Sequence, residues 1–501
     1  MFNNTKKNTL GEVKKLNELP QEEMIKVQVE QGDITTTQAL IEIANANASF
    51  FITDNKEVYA TVEVNKIKNH YPVNSQDFKM FLRKIYYKIF KKTLNLSVIT
   101  ETIETIIALE GDNTMNKIDT FIRVGGKDQK VYLDLCTDNR EIVEINTNGW
   151  NIIKDSPVKF KRTSTMQSLP IPEKGGSIKE LDKFINTNDE NKMLIYSFLL
   201  GCLVPTGPYP ILIVQGPQGS GKSFFSRIIK SLVDPSFAPI RSIPKNEENL
   251  IISAQKNRLL AFDNLSGLSN AMSDALCKMA TGSGFATRKF YENNEEIVFS
   301  AHRPLVLNGI DFIARRADLA DRAIIINLNP INKIDRKTEE EILSELNHVK
   351  PRILGSLLDA LSVALKEYNN VKLDSAPRMA DFAKWATAAE SGLGFEKGSF
   401  IQAFENNQLE SAKEAVEHDL FISTIIECLE KERKISGNAT TILSKLETYL
   451  PVESKKSDEW VKSPNQLKNT IHRVLPILES NNINYSFERN SNVRIHTLEL
   501  L

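Results

Sequence analysis

The sequence has few cysteines and no long apolar run. Its four cysteines, Cys136, Cys202, Cys277 and Cys428, form no Cys-x-x-Cys pair, so neither a zinc cluster nor a disulfide framework is expected. This usage suits a reducing compartment, and we expect a cytoplasmic protein. The N-terminal stretch MFNNTKKNTLGEVKK has no apolar segment of the signal-peptide kind. No window is long and apolar enough to span a bilayer, so no membrane partner is expected.

The chain also has almost no net charge. The 501 residues include 63 basic and 64 acidic side chains, which gives a formal net charge of -1. This balance excludes a general attraction of the whole molecule to nucleic acid, so any DNA contact must come from local basic patches. Hydrophobic residues make up 41% of the chain, which is ordinary for a globular protein with a sizeable core.

Changes of pattern along the chain predict six segments. Alternating apolar residues predict hairpins at 50–64 and 130–145, and helical spacing predicts a helix at 75–92. Strands that alternate with helices predict an α/β core with a parallel sheet. The segments are a flexible tail (1–23), a mixed α+β domain (24–165), a linker with a helical part (166–204), the α/β core (205–330), a helical lid region (331–412), and three short helices with a terminal hairpin, which suit a winged helix (413–501).

A phosphate-binding loop stands at the start of the α/β core. GPQGSGKS, at 216–223, matches G-x-x-x-x-G-K-[ST] and lies between an apolar strand and a helix. Glycines let the backbone wrap phosphates, and the helix N-terminus points at the same place. Lys222 is expected to reach the β- and γ-phosphates and Ser223 to bind Mg²⁺, so ATP and Mg²⁺ are the predicted cofactors. The predicted ATP contacts are Gly216, Pro217, Gln218, Gly219, Ser220, Gly221, Lys222, Ser223 and Phe224.

A second apolar strand, NRLLAFDN at 257–264, ends in a carboxylate. Behind a complete P-loop, Asp263 is the predicted second residue of the Mg²⁺ site. The alternative is a buried strand with a capping Asp. Asn264 stands where many such ATPases place a catalytic Glu. A neutral amide can orient water but cannot take its proton, so the general base is unassigned.

Four further residues are candidates for the ATP site. Asn308, at the tip of the strand PLVLNGI, can position the attacking water, or it can simply close a turn. Arg316 and Arg322 follow this strand, and an arginine there can stabilise transition-state charge. The alternative for both is a salt-bridged helix face with Asp318 and Asp321. Arg352 is a candidate lid arginine that reaches the phosphates.

The motif order resembles a known family. The P-loop is followed in the chain by LLAFDN, PLVLN and RRADLADR. This order resembles that of superfamily 3 helicases of the AAA+ class, above all the primase-helicase ATPases of phages, plasmids and integrated mobile elements, including the poxvirus type. The likeness is strong over 205–330 and extends over about 131–410, whereas residues 1–120 resemble nothing known to us. It implies a ring, usually of six subunits, in which Arg316 or Arg322 serves the neighbour's ATP. Asn264, and PLVLNG in place of the family's STN ending, depart from its pattern.

The same resemblance draws attention to a predicted hairpin at 281–300. In superfamily 3 helicases the hairpin at this place projects into the central channel and follows the DNA backbone. Cationic and aromatic side chains grip single strands without sequence choice, and the candidates here are Arg288, Lys289, Phe290 and Tyr291. The alternative is an ordinary hairpin with solvated charges. Basic stretches at 79–92 and 158–162, and a predicted recognition helix at 464–474, are weaker candidates.

The sequence is compatible with two functions. The first is an ATP-hydrolysing DNA helicase that serves DNA replication of a phage or mobile element. Its expected partners are single-stranded or forked DNA, further copies of the same chain in a hexamer, and other replication proteins. The second is an ATP-switched DNA-binding initiator or regulator without unwinding activity. Asn264 and the winged helix favour the second, whereas the basic hairpin and the compact motif order favour the first.

Overall fold

The structure is a computed structural model of the chain. It describes residues 20–112, 116–282, 284–288, 296–299, 302–310, 312–332, 334, 336–373, 375–450, 460–461, 463–490 and 493–501. Among them, no helix has the length and apolar character needed to cross a membrane.

Helices pack on a three-stranded antiparallel sheet in the N-terminal region. The order is α1 (Gln21–Gln31), α2 (Thr36–Asn47), β1 (Ala48–Ile52), β2 (Val58–Val64), β3 (Ile67–Pro72), α3 (Gln76–Phe90) and α4 (Leu96–Glu110). The hairpin predicted at 50–64 is confirmed by the antiparallel pairing of β1 with β2, and the helix predicted at 75–92 is α3. Helix α1 contains the tail boundary predicted at residue 23. Residues 1–19 of that tail lie outside the described part.

An antiparallel sheet precedes the core. Its strands are β5 (Val124–Lys127), β6 (Lys130–Asp134), β7 (Ile142–Asn146) and β8 (Gly149–Ile153), in that spatial order, while β4 (Thr120–Phe121) pairs with β9 (Lys159–Phe160). The hairpin predicted at 130–145 is confirmed by β6 and β7. A 3₁₀ helix (Ile178–Phe184) and α5 (Asp189–Cys202) then lead into the core.

The core is a parallel sheet, as predicted, and helices lie on both of its faces. Its elements are β10 (Ile211–Gln215), α6 (Lys222–Val233), α7 (Glu247–Ala254), β11 (Leu260–Leu265), α8 (Asn270–Thr281), β12 (Phe285–Arg288), β13 (Glu296–Phe299), β14 (Leu305–Gly309), α9 (Ala317–Ala320) and β15 (Ala323–Asn327). The parallel order is β11-β14-β10-β15. Alternate residues of β10 pack into two different hydrophobic clusters, one on each face of the sheet. Leu212 belongs to the first cluster and Ile213 to the second. Burial on both faces explains why these strands are apolar throughout.

The helical region after the core is confirmed in outline. It consists of α10 (Glu339–Glu367), a short 3₁₀ turn (Tyr368–Asn370), α11 (Ala380–Ala389) and α12 (Ser399–His418). The domain boundary predicted between 412 and 413 falls inside α12. The C-terminal part comprises α13 (Leu420–Glu432), β16 (Lys434–Gly437), α14 (Ala439–Leu446), α15 (Pro464–Ser480), β17 (Ile483–Asn490) and β18 (Val493–Leu500). The three helices and the hairpin are as predicted, and strand β16, which pairs with β18, adds to them.

A buried charged network ties the N-terminal region to the core. Arg123 is fully buried and its Nε donates to Asp234 at 3.2 Å. The Nζ of Lys230 donates to the other carboxylate oxygen at 2.6 Å, and the backbone N–H of Arg258 also donates to that oxygen. Burial alone would raise the pKa of Asp234, but the charges of Lys230 and Arg123 lower it to about 2. The carboxylate therefore stays charged and holds two segments that are distant in sequence.

Candidate nucleotide site

The loop at 216–223 has the backbone shape that a phosphate cradle needs. Gly219 and Gly221 have φ of 81° and 83°, a left-handed conformation that glycine adopts without strain. Helix α6 begins at Lys222 with no side-chain cap, so its first N–H groups are available to an anion. The hydroxyl of Ser220 is buried and has no hydrogen-bond partner within the described residues. A phosphate group is a suitable acceptor for such donors.

Two predicted Mg²⁺ residues meet at the start of α6. The Ser223 hydroxyl donates to the Asp263 carboxylate at 2.7 Å, although 40 residues separate them in sequence. Lys222 lies back over the loop, and its Nζ donates to the carbonyls of Gly216 and Pro217 at 2.7 and 2.9 Å. Burial lowers the pKa of Lys222, which the charge of Asp263 partly opposes. These oxygen donors are of the type that Mg²⁺ prefers, and the ammonium is of the type that binds phosphates.

Asn308 links the P-loop helix to the strand of Asp263. Its Oδ1 accepts from the backbone N–H of Asn264 at 3.0 Å, and its Nδ2 donates to Ser226 at 2.8 Å. Asn308 is 1% exposed, and strand β14, which carries it, lies between β10 and β11. Both polar ends of its amide are thus engaged by protein groups. Its predicted role, to position the attacking water, stays a prediction.

Asn264 lies at an irregular point of β11. The register with β14 shifts between Phe262 and Leu265, and Asn264 itself has φ of 57°, a conformation that Asn tolerates better than most residues. Its side chain is exposed. The bulge turns Asn264 away from the buried row, so its amide stands at the carboxyl edge of the sheet beside Asp263.

The arginines predicted to act across a subunit boundary are held within the chain. Arg316 Nη1 lies 2.7 Å from the Asp274 carboxylate, and the Arg316 side chain is 25% exposed. Arg322 is paired with Asp318, and its side chain is 14% exposed. Asp318 also accepts from Arg378 at 2.9 Å. The salt-bridged face weighed as the alternative is therefore present for Arg322 with Asp318, and Arg316 is the more exposed of the two.

Arg352 does not lie where the lid prediction put it. Its Nε donates to both carboxylate oxygens of Glu180, at 3.0 and 3.1 Å, and it is not among the residues around the cavity beside the P-loop. Glu180 belongs to the 3₁₀ helix that packs on α10. A sequence pattern within one segment does not reveal a contact between two segments that are so far apart in the chain. A different arginine approaches the loop: a Cβ on Gly219 would lie 3.3 Å from the guanidinium of Arg336. Sequence reasoning missed Arg336, whose only signal was its place just before α10.

A cavity of about 350 Å³ adjoins the P-loop. Small-molecule sites commonly have volumes of roughly 300–1,000 Å³. One wall comes from the 3₁₀ helix with Phe184, another from Gly221 of the loop and Phe224 of α6, and a third from Ile331 and the first turns of α10 with Ile342. Apolar walls beside a phosphate-type loop suit the planar, less polar end of a nucleotide.

The predicted DNA hairpin is described only in part. β12 and β13 pair antiparallel from Phe285 with Phe299 to Arg288 with Glu296, so a hairpin is present where it was predicted. Arg288 ends the first strand, and its side chain is not described. The candidates Lys289, Phe290 and Tyr291 lie outside the described residues.

Comparisons with known proteins identify two regions. Residues 177–406 match the family model of the actinomycete integrative conjugative element replication protein. Residues 421–500 match the model of the RepA C-terminal domain of the same elements. No curated protein sequence matches the chain.

Solved structures give a weak likeness. An A-form apo structure of the C-terminal region of NrS-1 is 12% identical, with 92% of this chain and 98% of that chain covered and a TM-score of 0.38. A second apo structure of that region is 12% identical, with 93% and 100% covered and a TM-score of 0.40. Scores this low carry no functional argument. The two family models match residues 177–406 and 421–500, and over these residues the chain is similar to the replication proteins of actinomycete integrative conjugative elements.

Proposed function

We propose that this chain is a replication protein and an ATP-hydrolysing DNA helicase, an AAA+ motor of the superfamily 3 type that works as a ring, most simply a hexamer. The observation that carries the proposal is the 2.7 Å contact between Ser223 and Asp263. It joins the hydroxyl at the N-terminus of α6 to the carboxylate at the end of β11, as a Mg²⁺-nucleotide site requires. Replication of an element also needs the strands of its DNA to be separated.

Within this proposal, each residue has a distinct task. Lys222 and the first N–H groups of α6 bind the phosphates, and Ser223 and Asp263 hold Mg²⁺, which neutralises phosphate charge when bound. Asn308 keeps the Asp263 strand and α6 in register through Asn264 and Ser226. The exposed amide of Asn264 orients water, and Arg336 adds positive charge beside Gly219. Catalysis is then mainly positioning and charge stabilisation.

The cavity beside the P-loop would take the nucleoside. Phe184 and Ile331 supply apolar faces for the base, and Lys337 and Glu345, which form an ion pair of 2.7 Å at the rim, lie near its polar edge. Arg316 would act on the ATP of the neighbouring subunit. It is the better candidate than Arg322, because it is more exposed and its pairing with Asp274 is at the surface, where such pairs contribute little.

DNA would pass the β12–β13 hairpin. Arg288 and Lys289 would contact phosphates there, and Phe290 and Tyr291 would stack on bases. A motor that unwinds DNA must couple this contact with the DNA strand to the hydrolysis of ATP. Strand displacement on a forked substrate, with wild-type protein and Lys222→Ala, tests the proposal. We expect ATP-dependent displacement in the wild type alone.

The second candidate is an ATP-switched initiator that binds DNA without unwinding. The observation in its favour is Asn264, an exposed neutral amide in place of a carboxylate general base. Such a protein would bind ATP tightly, hydrolyse it slowly and leave the fork intact. Nucleotide-dependent DNA binding without displacement would support this second function against the first.

A further inference from the structure

A small basic pocket lies in the N-terminal region, remote in sequence from the P-loop. It is formed where β3 meets the β6–β7 turn and the segment from β8 to β9. Its volume is about 30 Å³. A buried water needs roughly 10–15 Å³, so the pocket is far too small for a nucleoside and can admit only a few atoms, such as the oxygens of a phosphate group.

The lining has an excess of positive charge. Five basic side chains face two carboxylates, and His70 adds a ring that burial and the nearby charges of Lys159, Arg140 and Lys68 keep neutral by lowering its pKa to about 4. The charged lining residues are Lys68, Arg140, Lys154, Lys159, Arg162, Asp134 and Asp155.

Both carboxylates are already paired. Arg162 binds Asp134 through two nitrogens, at 2.8 and 2.6 Å, and a third nitrogen donates to the carbonyl of Thr137. Lys68 lies 3.1 Å from Asp155. The charges within these two pairs cancel. The three surplus positive charges of the lining are therefore those of the other three basic residues.

The remaining cations are Arg140, Lys154 and Lys159. Arg140 donates to the neutral amide of Asn69, and neither Arg140 nor Lys159 forms an ion pair with any described residue. Burial lowers the pKa of Lys159 and the charge of Lys68 lowers it further, while the carboxylate of Asp155 opposes part of this shift. Arg140 has φ of 58°, an uncommon conformation for a non-glycine residue. The uncommon backbone conformation of Arg140 and the like-charge repulsion on Lys159 thus occur in the same pocket, and a bound anion would relieve the repulsion.

We propose that this pocket binds one phosphate group, held mainly by Lys159 and Arg140. The phosphate can come from a nucleic-acid backbone or from a small phosphate compound, because the contacting chemistry is the same. The inference goes beyond the proposed motor and does not depend on it, since none of these residues lies in the candidate nucleotide site. It also gives a role to the basic stretch at 158–162.

Binding assays on the full chain without ATP test this proposal. The variants are Lys159→Gln, Lys159→Arg as the charge-preserving form, and Lys372→Gln as a control that removes an exposed lysine elsewhere. Affinity for labelled single- and double-stranded DNA is measured by anisotropy over a series of salt concentrations. Separately, the rise in Tm on adding inorganic phosphate is measured. Any phosphate bound at the P-loop raises Tm in every variant equally.

Two results support the proposal and distinguish the source of the phosphate. If DNA supplies it, Lys159→Gln weakens DNA binding about 3- to 10-fold and lowers the salt slope by about one unit, and Lys159→Arg restores both. If a small phosphate supplies it, DNA binding is unchanged, but the phosphate-dependent rise in Tm shrinks in Lys159→Gln and returns in Lys159→Arg. The proposal is overturned if Lys159→Gln matches Lys372→Gln in both assays. ATP hydrolysis without DNA should be equal in all variants, so a failed motor and a failed pocket are distinguishable.

Discussion

Asn308 accepts a hydrogen bond of 3.0 Å from the backbone N–H of Asn264, so the residue after Asp263 is fixed by the neighbouring strand. The same amide donates to Ser226 on α6. Because the network is buried, removal of one partner leaves the other unsatisfied, which costs about 1–3 kcal/mol. We expect Asn308→Ala and Ser226→Ala each to lower Tm.

Because the two side chains share one bond, their effects should not add. The double variant should be less destabilised than the sum of the single variants, with a coupling of about 0.5–3 kcal/mol. Ser231→Ala is the control, since Ser231 on the same helix donates to the carbonyl of Ile228, three residues before it in the same helix. Additive losses for Asn308 and Ser226 would show that this bond contributes nothing.

Ser223 provides a prediction that depends on Mg²⁺. If Ser223 and Asp263 share the cation, Ser223→Ala should weaken ATP binding about 10-fold or more with Mg²⁺, because one oxygen ligand is lost. In EDTA, the variant and the wild type should bind ATP equally. Titration with a fluorescent ATP analogue measures both, and Ser231→Ala serves again as the control. Equal weakening in both conditions would point to a distorted loop.

The low pKa of Asp234 predicts that the stability of the fold depends on pH in the acid range. Its pKa in the folded chain is about 2 and its ordinary value is 3.8, so its stabilisation is complete above pH 4–5 and is lost as pH falls from about 4 to 2. Asp234→Asn leaves Lys230 and Arg123 buried without their partner, which should cost about 3–5 kcal/mol at pH 7.

The measurement is Tm as a function of pH. Wild type and Asp234→Asn should differ most at pH 7, and the difference should shrink as pH falls from about 4 to 2. Asp138→Asn, a change at an exposed site in a turn, should follow the wild type throughout. A variant as stable as the wild type at pH 7 would contradict the role given to this network.

Arg316 can be tested for action on a neighbouring subunit by mixing two inactive variants. Lys222→Ala lacks the phosphate-binding lysine and Arg316→Ala lacks the arginine, so each alone should hydrolyse ATP at least 100-fold more slowly. In mixed rings, some interfaces combine an intact Lys222 with an intact Arg316 from the neighbour. Partial recovery of activity is therefore expected.

The same mixing with Arg322→Ala distinguishes the two arginines. Arg322 is paired with Asp318 inside its own subunit, so its loss should lower stability and should not be rescued by mixing. Recovery with Arg322→Ala and none with Arg316→Ala would reverse the assignment.

Local patterns predicted local structure well. The hairpins and α3 follow from apolar spacing, and the glycines at 216–221 predicted the loop that the structure has. The network of Asn308 was not predictable, because Ser226 lies 82 residues away and Asn264 44 residues away. Arg352 was misplaced for the same reason, since Glu180, its partner, lies 172 residues away. Strand β16 was missed because KISG is too short to show alternation.

The most direct test of the motor is ATP hydrolysis with and without single-stranded DNA. Wild type, Lys222→Ala and the double variant Arg288→Ala/Lys289→Ala are compared. We predict strong stimulation by DNA in the wild type, hydrolysis slowed about 100-fold or more in Lys222→Ala, and basal hydrolysis without stimulation in the double variant. Hydrolysis in the wild type that is indifferent to DNA, with the double variant unchanged, would contradict the motor and favour the ATP-switched initiator.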